Sequence, residues 1–443
     1  MEEIKWYYYK ITNFIKENEL EKKKLSDKKI NSMKKILYSE LGSKSEKELD
    51  FNIINYLWNN FFEIKYKCNI KKLDEINLRM FDKKYQLDKL KLEIPEEYQD
   101  LYKHFMELYN QPQPEQRSDD WYKYRYERIT ASDWATALNE NPYEPSESLI
   151  LKKCDPDFPF LDNQAVHHGK KYEQVATMIY EHIYNTKITE FGCIMHKNIP
   201  FLGASPDGIS SIYTLDNKFN KKLGRMLEIK CPLRREITMN GKIDGEICPH
   251  YYWCQVQGQL ECCDLEFCDF WQCNLKEYDS YYAWLNYDKK GYHGHESEIR
   301  DINPNLEKGC LIQLLPKKEI LNPSFDKVYQ AKYLYPPHLD MDINQYQTWI
   351  MHQINYWEKE NPNLSDYYFD RIIYWRLINS HNQEIKRDRK WFQEKLPILE
   401  NFWKEIQLTR NNPEKLKQIK DYLNNYKKKK YNTKIKNVNQ IKL

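Results

Sequence analysis

The run "MLEIKC" at 226–231 is apolar except for a carboxylate and an ammonium set two residues apart. A run of this length and composition predicts a strand. Strand side chains alternate between faces, so Glu228 and Lys230 share one face and Ile229 takes the other. The apolar neighbours put this strand inside a sheet, where a charge is costly unless it is paired or holds a metal. Either the two charges pair with each other on a half-exposed strand, or they belong to a site that neutralises them. A bare Glu-x-Lys is most often a structural ion pair, so its surroundings decide the matter.

Asp207 lies upstream in a Pro-Asp-Gly turn, after "GCIMHKNIPFLGASP", which reads as two short strands. The following "SIYTLDNKFNKKLGRM" reads as a strand, a polar hairpin loop and a return. That hairpin would bring Asp207 beside Glu228. Two adjacent carboxylates are hard to keep ionised unless a cation neutralises them. Hard oxygen ligands suit Mg²⁺ or Mn²⁺. Lys230 beside such an ion would orient or deprotonate a water and offset charge on a phosphate.

The 443 residues exceed one ordinary core. Helical spacing of Met33, Ile36, Leu37 and Leu41, and the capping pattern Ser45-x-x-Glu48, predict a helical accessory domain over 1–110. "QPQPEQ" (111–116) reads as a linker. Helical stretches and short apolar strands then alternate, an α/β pattern assigned to a domain over 117–300. The stripe Ile343, Tyr346, Ile350, Ile354 and Trp357 predicts a helical region over 301–426, as does a second stripe through Trp391, Leu399, Phe402, Trp403 and Ile406 with a kink at Pro397. A basic, disordered tail is expected over 427–443.

Five stretches carry a resemblance. In order they are "RSDDWYKYRYERITAS" (117–132), "HHGKKYE" (167–173), "FLGASPDG" (201–208), "LEIKCP" (227–232) and "YYWCQVQGQLE" (251–261). Over 117–275 the chain resembles the phage lambda exonuclease family, also called the YqaJ-type viral recombinase nucleases, within the PD-(D/E)xK superfamily. The resemblance implies a restriction-endonuclease-like α/β core, a mixed central sheet flanked by helices, here with helical N- and C-terminal additions. It implies a metal-dependent DNA exonuclease acting 5′→3′ on duplex ends in viral-type recombination or repair. The alternatives are a structure-selective endonuclease of the same fold and a non-cleaving DNA-binding or assembly protein.

The resemblance also assigns roles. Glu173, Asp207, Glu228 and the carbonyl of Ile229 match metal ligands, for Mg²⁺ or Mn²⁺. Asp207, Glu228, Lys230 and Gln255 match the catalytic set, with Gln259 held in reserve. Arg125 matches the arginine that receives a DNA 5′-phosphate. From the residues alone, Thr130 and Ser132 precede a helical run and would add hydroxyls and free N–H groups there. A surface pair with Glu127 is the bland alternative for Arg125, and a plain helix charge the bland alternative for Glu173. Double-stranded DNA is the expected partner. A single-strand annealing recombination protein and a homo-oligomer stay open.

Charge and cysteines bound the remaining classes. The net charge is +3, but seven lysines and no acid fall in 422–443, so without them the rest stands at −4. DNA binding must therefore come from local patches. The absence of an apolar h-region after Met1 and of any membrane-length apolar run leads to an expectation of a protein that is neither secreted nor membrane-bound. Eleven cysteines without a secretory signal point to reduced thiols in cytoplasm or nucleus, the host-cell cytoplasm if the protein is viral. Cys254, Cys262, Cys263, Cys268 and Cys273 cluster where some related nucleases carry an iron–sulfur centre. Their spacing lacks the Cys-x₂-Cys that such a centre needs, so buried free thiols are expected. His293 and His295 lack a second ligand pair and read as loop.

Overall fold

The computed structural model describes residues 92–155, 158, 163–279, 281–285, 308–320, 324, 326–339 and 341–440. The chain forms two compact units, one of residues 88–274 with 380–443 and one of 1–87 with 275–379. The helices expected before residue 92, and His293 and His295, lie outside the described residues.

The first unit opens with helices α1 (Gln99–Asn110) and α2 (Asp119–Tyr126), then strand β1 (Ile129–Thr130), the single turn α3 (Trp134–Ala137) and α4 (Ser146–Cys154). Helix α5 (Gln164–Tyr184) leads to strands β2 (Ile188–Thr189), β3 (Ile194–Met195), β4 (Leu202–Ala204), β5 (Gly208–Ser210) and β6 (Met226–Lys230). Helix α6 (His250–Cys263) and strand β7 (Phe267–Glu277) follow. β1, β4 and β3 make a small sheet. The larger sheet runs β2-β5-β6-β7, with β5 antiparallel to β6 and β6 parallel to β7. A parallel neighbour needs a crossover, and α6 supplies it. The hairpin expected between Asp207 and Glu228 is present, with Gly208 opposite Leu227 and Ile209 opposite Met226.

Two glycines allow close approaches here. A Cβ on Gly258 of α6 would sit 2.8 Å from the Trp134 ring. A Cβ on Gly208, the glycine of the Pro-Asp-Gly turn, would sit 2.2 Å from Ile188. Both contacts are shorter than packed atoms tolerate.

Within the second unit, helix α7 (Tyr281–Leu285) precedes strands β8 (Lys308–Pro316) and β9 (Lys332–Leu334), helix α8 (Ile343–Glu360) and strand β10 (Tyr367–Lys386), which continues into the first unit. β8 pairs antiparallel with both β9 and β10. Trp284, Ile312, Leu314, Trp349, Ile350 and Tyr374 lie in one buried cluster. The first unit closes with helices α9 (Arg389–Arg410) and α10 (Pro413–Gln440).

Three expectations need correction. Residues 301–426 are not purely helical. The two helical stripes are α8 and α9, the latter with Pro397 inside it, but strands β8, β9 and β10 lie between and before them. β8 is buried along nearly its whole length, and Ile372, Ile373, Tyr374 and Trp375 of β10 are buried in succession. A continuous apolar run carries neither period 2 nor period 3.6. The segment 111–116 is not a boundary. Gln113 accepts from the Gly192 N–H at 2.5 Å, and Gln116 donates to the carbonyls of Phe191 at 2.7 Å and Pro206 at 3.1 Å. The unit reaches back to residue 88 and ends at 274 rather than 300. Finally, the basic tail is helical as far as Gln440. Lysine propagates a helix well, and residues 427–440 contain no glycine or proline.

Candidate active site

β6 delivers Glu228 and Lys230 as strand alternation requires. Glu228 is fully buried. Its Oε1 accepts from Gln255 Nε2 at 2.7 Å and from the Lys230 ammonium. Its Oε2 accepts from Gln259 Nε2 at 2.7 Å. Gln255 and Gln259 are one helical turn apart on α6 and so reach the same carboxylate, whereas Gln257 turns away to bond the Lys386 carbonyl and the Asp388 N–H. Asp207 stands at the start of the hairpin and accepts from the Ile229 N–H at 2.6 Å.

Glu173 comes from α5. Both its oxygens accept from Arg117 Nη2 at 3.0 Å. Together Glu173, Asp207, Glu228, Ile229, Lys230 and Gln255 line one cavity of about 320 Å³. Lys170, Arg235 and Tyr252 add to its wall, and the Lys230 ammonium lies 4.4 Å from the Tyr252 ring centre.

The electrostatics follow from this crowding. Burial, then the charges of Glu228 and Glu173, push the Asp207 carboxyl well above the usual carboxylate range. Burial also raises Glu173, with Arg117 opposing the rise and Glu228 adding to it. Burial alone would lower Lys230, but Glu228, Tyr252 and Asp207 outweigh it and hold its pKa above the ordinary lysine value. The raised proton affinity of Asp207 and Glu173 marks a site that a cation would relieve, and with Glu228 they give three carboxylates facing one cavity, an oxygen donor set that fits a hard divalent cation.

Arg125, Thr130 and Ser132 come together elsewhere and do not line this cavity. Arg125 donates to Ser132 Oγ at 3.0 Å and to Ser205 Oγ at 3.4 Å, and its guanidinium lies 4.3 Å from the Trp121 ring centre. Ser205 is two residues before Asp207, so the strand end that carries the carboxylate also touches Arg125. The Thr130 hydroxyl donates to the buried Asp133 at 2.8 Å. It is thus spent on an internal partner, and the helix beyond it is only a four-residue turn. The five clustered cysteines are free and buried.

Sequence reasoning did not single out Arg117, Lys170, Arg235 or Tyr252 and kept Gln259 second. Arg117, Lys170 and Tyr252 fall inside the quoted stretches, so the pattern contained them. Arg235 carried no signal, because it reaches the cavity from the irregular segment after β6.

Comparison with known proteins bears on this geometry. Residues 120–266 match the model of the YqaJ-like viral recombinase domain. An uncharacterized protein of Acanthamoeba polyphaga mimivirus is 41% identical over 320 residues, which is 70% of this chain and 55% of that protein. A protein of African swine fever virus is 29% identical over 167 residues, 33% of this chain and 46% of that one. The chain thus spans about half the length of these viral relatives. Among solved structures, an alkaline exonuclease from Laribacter hongkongensis aligns with 69% of this chain and all of its own at 16% identity, with a TM-score of 0.34, too low to carry an argument. The match spans β1 to the end of α6 and includes every residue of the three-carboxylate cavity named above, so the part of the chain that is similar to a YqaJ-like viral recombinase domain, residues 120–266, is the part that builds the site.

Proposed function

We propose that this protein is a metal-dependent DNA exonuclease that degrades duplex ends in the 5′→3′ direction, in viral recombination or repair inside the host cell. The observation that carries the reading is the convergence of Glu173, Asp207, Glu228 and Lys230, from three separate elements, on one cavity. The viral relatives and the family of the domain support the setting. Glu173, Asp207, Glu228 and the Ile229 carbonyl would hold Mg²⁺ or Mn²⁺, which when bound neutralises the carboxylates and polarises a phosphoryl oxygen.

The chain's own residues do the rest. Gln255 and Gln259 fix both oxygens of Glu228, so that the carboxylate keeps its orientation as charge enters the site. Lys230, held as an ammonium, orients a water and offsets charge on the phosphate rather than serving as a base. Arg125, with Ser132, offers a guanidinium fork suited to the extra charge of a terminal 5′-phosphate. Duplex DNA is the substrate, and a single-strand annealing protein or further copies of the chain would join it in recombination.

Digestion of end-labelled linear duplex, with and without a 5′-phosphate, beside a closed circular control, tests the reading. Mg²⁺-dependent loss of label from linear DNA alone is expected. Nicking of the circle at an equal rate would replace the exonuclease with an endonuclease, and cleavage of neither would overturn the assignment.

A further inference from the structure

A second cluster in the same unit is not used by the reaction. His250 opens α6 and Cys254 follows one turn later, so both face the same side. Glu140 comes from the segment after α3. His250 Nε2 lies 3.0 Å from Glu140 Oε2, Cys254 Sγ lies 3.4 Å from His250 Nε2, and Cys254 Sγ lies 3.7 Å from Glu140 Oε2. We propose that these three atoms bind a zinc ion, with a fourth position open to water.

The triangle has the dimensions of one face of a zinc tetrahedron. With bonds of about 2.3 Å to sulfur and about 2.0–2.1 Å to nitrogen and oxygen, tetrahedral angles put S···N at about 3.6 Å, N···O at about 3.3 Å and S···O at about 3.5 Å. Each observed edge lies within a few tenths of an ångström of its counterpart. A histidine, a thiol and a carboxylate are the donors zinc takes, whereas Glu173, Asp207 and Glu228 offer carboxylate oxygens to the other cavity.

The surrounding groups complete the arrangement. Asp244 Oδ1 lies 2.8 Å from His250 Nδ1. A carboxylate there fixes the tautomer that presents Nε2 to a metal and raises its basicity. Lys395 Nζ holds the other Glu140 oxygen, Oε1, at 2.6 Å and leaves Oε2 for the ion. Zinc with one thiolate and one carboxylate is neutral, and Lys395 and Asp244 offset each other outside it. Burial and Glu140 push the Cys254 thiol up in the metal-free protein. Binding therefore releases the thiol proton as the Zn–S bond forms. The ion would tie the segment after α3 to the start of α6, the helix that carries Gln255 and Gln259.

The test uses the full-length protein, freed of metal with chelator and titrated with Co²⁺ in Mg²⁺-free buffer. One equivalent should produce a thiolate-to-cobalt charge-transfer band and the visible bands of tetrahedral cobalt, and Zn²⁺ should erase both. Cys254→Ser should lose the charge-transfer band, while Asp207→Ala should keep it, which separates this site from the carboxylate cavity. Absence of the band in the wild-type protein would overturn the proposal whatever the variants do. So would a band that survives Cys254→Ser and disappears in Cys231→Ser, the thiol beside the other cavity.

Discussion

Replacing Gln259 with leucine should separate the stability of the site from its activity. The Gln259 amide is buried, and its Nε2 donates to Glu228 Oε2 at 2.7 Å and lies 3.4 Å from the Ser205 carbonyl. Its own Oε1 is buried and has no hydrogen-bond partner among the described residues. Losing a donor to a buried carboxylate costs about 1.5–3 kcal/mol, whereas removing an orphaned buried acceptor returns about 1–3 kcal/mol. The two nearly cancel, so Gln259→Leu should unfold within a few degrees of wild type. The reaction has no such compensation, because Glu228 loses the group that fixes one oxygen. If the same 1.5–3 kcal/mol appears in the barrier, the rate falls about 10- to 150-fold. Thermal melting and steady-state digestion of linear duplex measure the two quantities, and the loss should appear in kcat rather than KM. A variant that melts like wild type and also cleaves within twofold of it would refute the reasoning.

Asp133 tests the buried charges beside the Arg125 cluster. It meets Lys152 at 2.8 Å and the buried Lys153 at 2.9 Å. Burial works against its charge, but Lys152, Lys153 and Arg125 outweigh that and hold its pKa well below the usual value. A depressed carboxylate stabilises the fold above its unfolded pKa, and the contribution disappears as pH falls through the folded value. Asp133→Asn should therefore cost about 3–5 kcal/mol near neutral pH, by stranding Lys153. In denaturant melts that deficit should shrink below about pH 3.9. Arg125→Ala should remove most of the rate difference between 5′-phosphorylated and 5′-hydroxyl duplex, read by end-labelled digestion, while the residual rate keeps its Mg²⁺ dependence. Deleting residues 427–443, with seven lysines, should weaken DNA binding at low salt and flatten its salt dependence in a filter-binding titration, without altering end preference.

The cavity was legible because its chemistry is written into strand alternation. Glu228 and Lys230 had to share a face, and a polar hairpin had to return the chain to Asp207. Gln255 and Gln259 stood out as paired amides in an apolar helix, although spacing could not rank one above the other, and both reach Glu228. Arg117 was harder to foresee, because its partner Glu173 is far away in sequence. The strands after residue 300 were missed because β8 is buried along nearly its whole length, and burial on both faces erases the period that betrays a strand. The boundary assigned to residues 111–116 failed for a different reason. Proline and glutamine there read as linker composition, yet the glutamine amides are anchored to the backbone at Phe191, Gly192 and Pro206.

The most direct test of the central claim is the rate of nucleotide release from linear duplex by wild-type protein and by Asp207→Asn and Lys230→Ala, at DNA concentrations that saturate each and across a Mg²⁺ titration. The account predicts release by wild type that depends on Mg²⁺, and a fall of about 100-fold or more in both variants at undiminished DNA affinity. Wild-type rates in either variant, or release that persists in chelator, would contradict it.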